Sequence, residues 1–257
     1  MFAIERQNKI REKLVQERRV DVVELSELFS VTEVTIRRDL DKLENEGFLI
    51  KTYGGALLKE ESSAVPVPVT DNADQTLREK RMIGRMAASM IEPGDAVFLS
   101  PGVIGLEIAR QLRGKRATVI TNDVLIAAEL RDMHGVKAIV TGGDLMPSTT
   151  ALVGELVQKT LQGLYISRAF IEVSGVHADA GYTMDSREEA ATLQIIDGIS
   201  QEVVVVADYT RFDNVAFARL GDLSFAKKII TNKQVAPLYK KTFFERAIKI
   251  FTAYEFE

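Results

Sequence analysis

The 257-residue sequence contains no cysteine and only two histidines, His134 and His177. The absence of cysteine excludes disulfide bonds and thiolate-bound zinc, and it is typical of a cytoplasmic protein. A metal site needs three or four converging ligands, and neither histidine has companion ligands at a suitable spacing. We therefore expect neither a metal nor a cofactor.

Long apolar runs are also missing. No stretch of about 18 residues is apolar throughout, so we expect no transmembrane helix. The start of the chain, MFAIERQNKI, lacks the apolar core of a signal peptide. Hydrophobic residues make up 46% and charged residues 27% of the chain, which is ordinary for a soluble protein. The length allows one small domain and one larger domain.

The sequence also has no excess of basic residues, since its net charge is -4. This charge does not exclude DNA as a partner, because a DNA-binding surface is local. Binding must then depend on a few well-placed cations, and one small DNA-reading domain buries too little surface for tight binding. We therefore expect a homodimer or homotetramer that binds paired half-sites.

Near the amino terminus, the sequence predicts two short helices separated by a tight turn. The segment VDVVELSELF (Val20–Phe29) has apolar residues at helical spacing, and residues 30–32 interrupt that spacing. A second helix begins at Glu33, with the Thr32 hydroxyl as its N-cap. This arrangement is typical of a helix-turn-helix, whose second helix enters the DNA major groove.

The second helix has a core side and an outward side at about 100° per residue. Ile36, Leu40 and Leu43 are predicted to face the core. Arginine binds guanine bidentately or binds phosphate, and an outward valine can contact a thymine methyl group. The alternative is an ordinary solvated helix. With two residues of the hairpin described next, the predicted DNA-binding residues are Val34, Thr35, Arg37, Arg38, Lys42, Lys51 and Tyr53.

Two further elements complete this domain. Residues 48–53 are predicted to form a strand that pairs with residues 56–58 across Gly54 and Gly55, which is the hairpin or wing of a winged helix. Upstream, Ile4–Val15 is predicted to be an amphipathic helix, and its cations, among them Arg6, face solvent or phosphate.

After a linker that contains Pro66 and Pro68, short apolar strands alternate with helices. This alternation predicts an α/β domain with a Rossmann-like, mostly parallel sheet. The predicted strands are Ala96–Leu99, Thr118–Thr121, Val136–Val140, Ala169–Val173, Glu202–Ala207 and Lys228–Thr231. The predicted domains are residues 1–58, the linker 59–73, and residues 74–257.

Ligands of such sheets bind beyond the carboxyl ends of the strands. Polar and glycine residues at these ends are therefore effector-binding candidates. For any one of them a turn or a helix cap is the better explanation, but the convergence of the set on one edge favours a ligand site. The candidates are Ser100, Gly102, Asn122, Gly142, Gly143, Asp144, Ser174, Gly175 and Asp208.

Nearly the whole chain resembles the DeoR family of bacterial transcriptional regulators. In the first domain the similar segments are RQNKIREKL (Arg6–Leu14), TIRRDL (Thr35–Leu40) and LENEGFLIKTYGGA (Leu43–Ala56). In the second they are TND (Thr121–Asp123), TGGDLMPSTTALVG (Thr141–Gly154) and EVVVVADYTRFDNVAFARLGDLS (Glu202–Ser224). The resemblance implies a repressor, in some cases an activator, of carbohydrate or polyol catabolic genes. It also implies an effector domain that is similar to sugar-phosphate isomerases and usually senses a phosphorylated sugar.

Three positions depart from the family pattern. The family's phosphate loop, of the type Asp-x-Gly-Thr-Thr-Thr, is replaced here by SPGVIG at residues 100–105. Leu193 and Arg211 each stand where the family usually has a lysine. Fewer hydroxyls and one cation fewer weaken the charge-assisted binding of a phosphate. Backbone amides of the following helix could still hold an anion, and Arg211 or Arg187 could compensate.

Three alternatives for the effector domain follow. It senses a phosphorylated compound that is held differently, it senses a less charged or more apolar compound, or it has lost phosphate sensing and serves oligomerisation or partner docking.

Isomerase activity would need a positioned general base. Asp144, Asp179, Asp185 and Glu188 are conceivable bases, but the DNA-reading domain and the altered loop argue against turnover. We expect a non-enzymatic regulator that binds double-stranded operator DNA and a sugar phosphate or related metabolite.

Overall fold

The computed structural model describes residues 6, 7, 9–11, 13, 14, 19–29, 31–45, 49–52, 55–58, 71–147 and 149–253. The chain divides into two compact units, Met1–Pro66 and Val67–Glu257. Within the described ranges, no helix is both long enough and apolar enough to cross a membrane.

The first unit combines helices with a small antiparallel sheet. Its elements are a helix that includes residues 6, 7, 9–11, 13 and 14 (α1), β1 (Arg19–Asp21), α2 (Val22–Phe29), α3 (Glu33–Asn45), β2 (Leu49–Thr52) and β3 (Gly55–Leu58). The strand order is β1-β3-β2, so the predicted hairpin is confirmed. Strand β1 was not predicted, because Val20 was assigned to the following helix although it pairs with Ala56.

The core of the first unit follows the predicted helical spacing. Ile36, Leu40 and Leu43 are fully buried against α1, α2 and the sheet, as the angular pattern predicts. The Thr35 amide donates to the Thr32 hydroxyl at 3.4 Å, which confirms Thr32 as the N-cap of α3. The turn and the cap together fix where α3 begins.

The second unit is built around parallel strands with helices on both sides. Its helices are α4 (Asp71–Ser89), α5 (Val103–Arg110), α6 (Val124–Leu130), α7 (Glu155–Leu161), α8 (Arg187–Ile199) and α9 (Pro237–Glu245). Its strands are β4 (Ala96–Leu99), β5 (Ala117–Thr121), β6 (Val136–Val140), β7 (Asp144–Leu145), β8 (Leu152–Val153), β9 (Arg168–Glu172), β10 (Gly175–His177), β11 (Gly181–Met184), β12 (Val203–Val206), β13 (Ala218–Gly221), β14 (Lys228–Asn232) and β15 (Lys249–Ala253).

Seven of these strands form one sheet in the order β15-β14-β12-β9-β4-β5-β6. Every pairing within it is parallel, which confirms the predicted sheet. Alternate residues enter two separate cores, since Val97 and Leu99 pack with α4 and α5 whereas Phe98 packs with α7 and α8. The run VVVV of β12 is buried on both faces, as expected for a central strand.

Two boundaries differ from the prediction in ways that affect the functional site. Helix α4 begins at Asp71, within the segment that the sequence assigned to the linker. Strand β9 ends at Glu172 rather than at Val173. The carboxyl end of this strand therefore presents a carboxylate, and Ser174 and Gly175 belong to the start of a separate antiparallel sheet, β10-β11-β13.

Candidate DNA interface and effector site

Helix α3 exposes the face that the sequence predicted to read DNA. Val34 is 61% exposed, and Arg37, Arg38 and Lys42 are also exposed. Thr35 is half-buried, and its hydroxyl lies 3.0 Å from that of Thr32, so it belongs to the helix cap. The face presented to solvent therefore combines one apolar side chain with three cations.

The two arginines of this face differ in their contacts. Arg37 Nη2 lies 3.2 Å from Glu33 Oε2, one helical turn away. Arg38 makes no ion pair within the described part of the chain, so its guanidinium is free for a base or a phosphate. Lys51 lies in β2 of the hairpin, and Tyr53 lies outside the described residues. Val34 and Arg38 are both exposed on this face, and their contact with bases remains a prediction.

A buried ion pair fixes α3 against α1. Arg6 Nε donates to Asp39 Oδ2 at 2.6 Å, and the two side chains are only 8% and 6% exposed. Gln7 Nε2 donates to the other carboxylate oxygen at 2.8 Å. The prediction that Arg6 faces solvent or phosphate was wrong, because Asp39 needs a buried counter-charge. Asp39 lies about 60° from Ile36 on the helical wheel, so the angular pattern could have identified it.

In the second unit, four charged side chains gather at the carboxyl edge of the parallel sheet. Lys80 of α4 lies 3.7 Å from Glu172 Oε1 and 3.6 Å from Asp208 Oδ2. The Lys80, Glu172 and Asp208 side chains are 12%, 12% and 1% exposed. Arg211, in the short helical turn Tyr209–Arg211 after β12, is close enough to influence the titration of Glu172. We call Lys80, Glu172, Asp208 and Arg211 the edge cluster.

Glu172 also organises the loop between β4 and α5. Its Oε2 accepts a hydrogen bond from the Ile104 amide at 2.8 Å, and its own amide donates to the Ser100 hydroxyl at 2.8 Å. Gly102 is the N-cap of α5 and has φ +131°, a conformation that side chains rarely adopt. A Cβ atom at Gly102 would lie 2.2 Å from Glu172 Oε2, so only glycine permits this contact.

The surroundings of Glu172 raise the pKa of its carboxyl group above the ordinary value. Burial is the largest cause, because it disfavours the charged form, and the negative charge of Asp208 adds to it. Lys80, the Ile104 amide and Arg211 oppose the rise without cancelling it. A buried acid with a raised pKa beside two cations is typical of a functional site.

Unpartnered polar atoms concentrate at the same edge. Among the described residues, the buried side-chain atoms without a hydrogen-bond partner are Glu79 Oε2, Asn122 Oδ1, Tyr182 OH, Arg211 Nε, Thr231 Oγ1 and Asn232 Nδ2. Asn122, Thr231 and Asn232 lie at or just after the carboxyl ends of strands, Arg211 lies in the helical turn after β12, and Glu79 lies in α4. The rest of the second unit therefore satisfies its buried polar groups far more fully than this edge does.

The structure thus brings together only some of the predicted effector-binding residues. Asp208 and Arg211 belong to the edge cluster, Ser100 and Gly102 contact its Glu172, and Asn122 follows β5, two strands from β9.

The remaining predicted positions make local contacts. Gly143 packs against Val153 and Val157, and it follows Gly142 and precedes Asp144 in the turn between β6 and β7. The Ser174 hydroxyl donates to Asp185 Oδ2 at 2.8 Å. Gly175 lies in β10 beside Thr183 and the Asn214 carbonyl. Leu193, which replaces the expected lysine, is buried in the core.

Sequence reasoning missed Lys80 and Glu172. Glu172 was not predicted as a site residue because the predicted strand ended one residue too late, at Val173. Ser174 and Gly175 were therefore predicted to lie at the strand end instead. Lys80 is one of several cations in α4, and only the tertiary structure distinguishes it from Arg78 and Arg81. Within the described residues, no group of three or more His, Cys, Asp or Glu side chains could hold a metal ion.

The comparisons with known proteins agree with this two-part organisation. Residues 6–62 match the model of the DeoR-like helix-turn-helix domain, and residues 75–233 match that of the DeoR C terminal sensor domain. The chain belongs to the DeoR family. It is therefore a transcriptional regulator with an amino-terminal helix-turn-helix and a carboxyl-terminal sensor domain, as the sequence predicted.

Several regulators resemble this DeoR-family chain along almost their full lengths. The HTH-type transcriptional regulator GolR of Listeria innocua is 30% identical over 94% of this chain and 95% of its own. The lactose phosphotransferase system repressor of Lactococcus lactis is 29% identical, over 93% and 94%. The glycerol-3-phosphate regulon repressor of Escherichia coli is 28% identical, over 90% and 92%.

Ribose 5-phosphate isomerase A of Methanocaldococcus jannaschii is a distant structural neighbour. It is 13% identical, with a TM-score of 0.40 over 54% of this chain and 55% of that chain. A similarity of this size says nothing about activity.

Proposed function

We propose that this DeoR-family regulator represses carbohydrate or polyol catabolic genes and that a small metabolite at the carboxyl edge of the sheet modulates its affinity for operator DNA. The observation that carries the proposal is the outward face of α3, where Val34 and Arg38, which has no ion pair among the described residues, are exposed directly after the capped turn. The similarity to the lactose phosphotransferase system repressor and to the glycerol-3-phosphate regulon repressor supports the class of regulated genes.

Further features of the proposal follow from the size and place of the DNA-reading unit. One winged helix contacts too few bases for tight specific binding, so we propose a homodimer or homotetramer on paired half-sites. Because the partner is operator DNA, we expect the protein to act in the cytoplasm.

We propose no catalytic role. Isomerisation of a sugar phosphate needs a carboxylate or another base that is free to remove a proton from the substrate. At the edge cluster, the Glu172 carboxylate already accepts from the Ile104 amide and lies beside Lys80. Asp208 accepts from the Thr210 amide at 2.9 Å and also faces Lys80.

The test of DNA reading is fluorescence anisotropy on the DNA upstream of the protein's own gene. Arg38→Ala should weaken binding at least tenfold, since an arginine that contacts a base contributes about 1–3 kcal/mol. Arg113→Ala, which removes another exposed arginine from the second unit, is the matched control and should bind as the wild type does. Wild-type affinity in a folded Arg38→Ala variant would overturn the assignment of the reading face.

The test of sensing adds metabolites to the same assay. Free sugars, polyols and their phosphate esters are titrated against the protein–DNA complex, and a true effector should shift the affinity at least tenfold, or about 1.4 kcal/mol of coupling. If DNA binds and no compound shifts it, the α/β domain serves oligomerisation or partner docking, and the sensing part of the proposal fails.

A further inference from the structure

We propose that Glu172 is an internal anion that sets the chemical class of the effector: with its carboxylate at the amino end of α5, the edge cluster accepts an uncharged compound and excludes phosphate. The identification of this ligand as the effector rests on the proposed function. The binding selectivity itself does not, because it concerns only the second unit.

The first argument is the state of the α5 amino end. The amino end of a helix carries partial positive charge and free amide groups, which favour a bound anion. Helix α5 has no side-chain cap of its own, because Gly102 occupies the N-cap position. The Ile104 amide instead donates to Glu172 Oε2 at 2.8 Å. The anion at this helix end is therefore part of the protein, and a phosphate would have to displace it.

The second argument is charge. Lys80 lies between two carboxylates, at 3.7 Å from Glu172 and 3.6 Å from Asp208, so its charge is already compensated. With Arg211, the edge cluster contains two acidic and two basic side chains. A phosphate dianion would meet the Glu172 carboxylate in a buried setting, where like charges repel strongly.

The third argument is the kind of hydrogen-bonding group left over. Asn232 Nδ2 and Arg211 Nε can only donate, Asn122 Oδ1 can only accept, and the Thr231 hydroxyl can do both. Asn122 and Asn232 are each 1% exposed, and Thr231 is 0% exposed. A phosphate dianion has only acceptors, whereas each hydroxyl of a sugar or polyol is donor and acceptor together. Asn232, like Glu172, continues the face of the sheet that packs with α4 and α5, whereas Thr231 and Asn122 continue the opposite face. On the Glu172 face, the unpaired Asn232 nitrogen can donate to a hydroxyl group of an uncharged ligand.

The hydrogen bonds of the two asparagines show which of their side-chain atoms remain unpaired. Asn122 Nδ2 donates to the Leu152 carbonyl at 2.9 Å, and Asn232 Oδ1 accepts from the Tyr209 amide at 3.1 Å. These bonds leave the Asn122 oxygen and the Asn232 nitrogen unpaired. The unpaired Asn232 nitrogen therefore lies on the Glu172 face of the sheet, two strands from β9, and the unpaired Asn122 oxygen lies on the opposite face.

The test is isothermal titration calorimetry of inorganic phosphate into the full chain, without DNA, at constant ionic strength. The wild type should show no saturable binding up to about 10 mM phosphate. Glu172→Ala should bind phosphate at least tenfold more tightly than the wild type, because it frees the Ile104 amide, Lys80 and Arg211. If Glu172→Ala fails to fold, Glu172→Gln removes the charge at constant size and should show the same direction of change.

Glu202→Ala is the matched control. It removes a glutamate that lies between Arg168 and Lys228 at the opposite edge of the sheet, where no strand presents its carboxyl end. It should not gain phosphate binding. The proposal is overturned if the wild type binds phosphate as tightly as Glu172→Ala, if a folded Glu172 variant gains nothing, or if Glu202→Ala gains as much. None of these results depends on DNA binding, which the Arg38→Ala assay tests separately.

Discussion

The two edges of the parallel sheet each place a glutamate beside cations, and the two glutamates are held very differently. At the amino edge, Glu202 accepts from Arg168 Nε at 2.7 Å and lies 2.6 Å from Lys228 Nζ. At the carboxyl edge, Glu172 lies 3.7 Å from Lys80 and takes its short hydrogen bond from a backbone amide. The Glu202 carboxylate is thus held by two close cations, whereas the Glu172 carboxylate has one more distant cation and a backbone amide.

The pKa values of the two glutamates are also shifted in opposite directions. Burial raises the pKa of Glu202, but the hydrogen bonds from Lys228 and Arg168 outweigh it, so the net pKa is lowered. At Glu172 burial dominates and the pKa is raised. A carboxylate whose partners satisfy it stabilises the fold, whereas one that remains poorly satisfied among unpaired polar groups is a candidate for ligand recognition.

The largest expected effect is a loss of stability, and it compares one aspartate at each edge of the sheet. Asp208→Ala should lower the free energy of unfolding by about 3 kcal/mol, because it removes a buried partner of Lys80. Asp95→Ala, at the amino edge, should lower it by less than about 1 kcal/mol, because Asp95 is 23% exposed and lies 4.0 Å from Arg168. Urea denaturation measures both, and equal losses would contradict the contrast.

Glu202→Gln should have an intermediate effect. We expect a loss of about 1 kcal/mol at neutral pH, since the ion pairs of Glu202 are partly exposed. A lowered pKa contributes stability above the ordinary value of 4.5 and loses it as the pH falls through the lowered value. The wild-type advantage should therefore shrink in acid, which unfolding curves across the pH range will show. An advantage that grows in acid would refute this account of the amino edge.

Glu172→Gln should change stability least, by less than about 1 kcal/mol at neutral pH, since glutamine can still accept from the Ile104 amide. The difference in stability between the wild type and Glu172→Gln should change with pH in the opposite direction to that for Glu202→Gln. Because the Glu172 pKa is raised, the buried charge is unfavourable at high pH, and the wild type should gain stability relative to Glu172→Gln as the pH falls towards 4.5. The same unfolding curves test it, and parallel curves for the two proteins would contradict the raised pKa.

The sequence predicts the framework of this molecule better than its effector site. Helical spacing identifies the buried Ile36, Leu40 and Leu43, and the N-cap at Thr32, because these depend on local geometry. Strand ends identify Asp208 in the same way.

Glu172 and Lys80 could not be found so directly. A shift of one residue in a strand end decides whether Glu172 or Ser174 is considered, and element ends are the least certain part of a pattern. Lys80 acquires its role only from strands β9 and β12, which follow it by many residues in the chain.

The most direct test of the account joins both units in one measurement. Anisotropy records the affinity of the wild type and of Glu172→Ala for the upstream DNA, in phosphate and in chloride of equal ionic strength, because DNA binding depends strongly on salt. We predict that phosphate shifts the affinity of Glu172→Ala at least tenfold and leaves that of the wild type unchanged. An equal shift in both proteins, or no shift in either, would contradict the claim that Glu172 decides what this sensor detects.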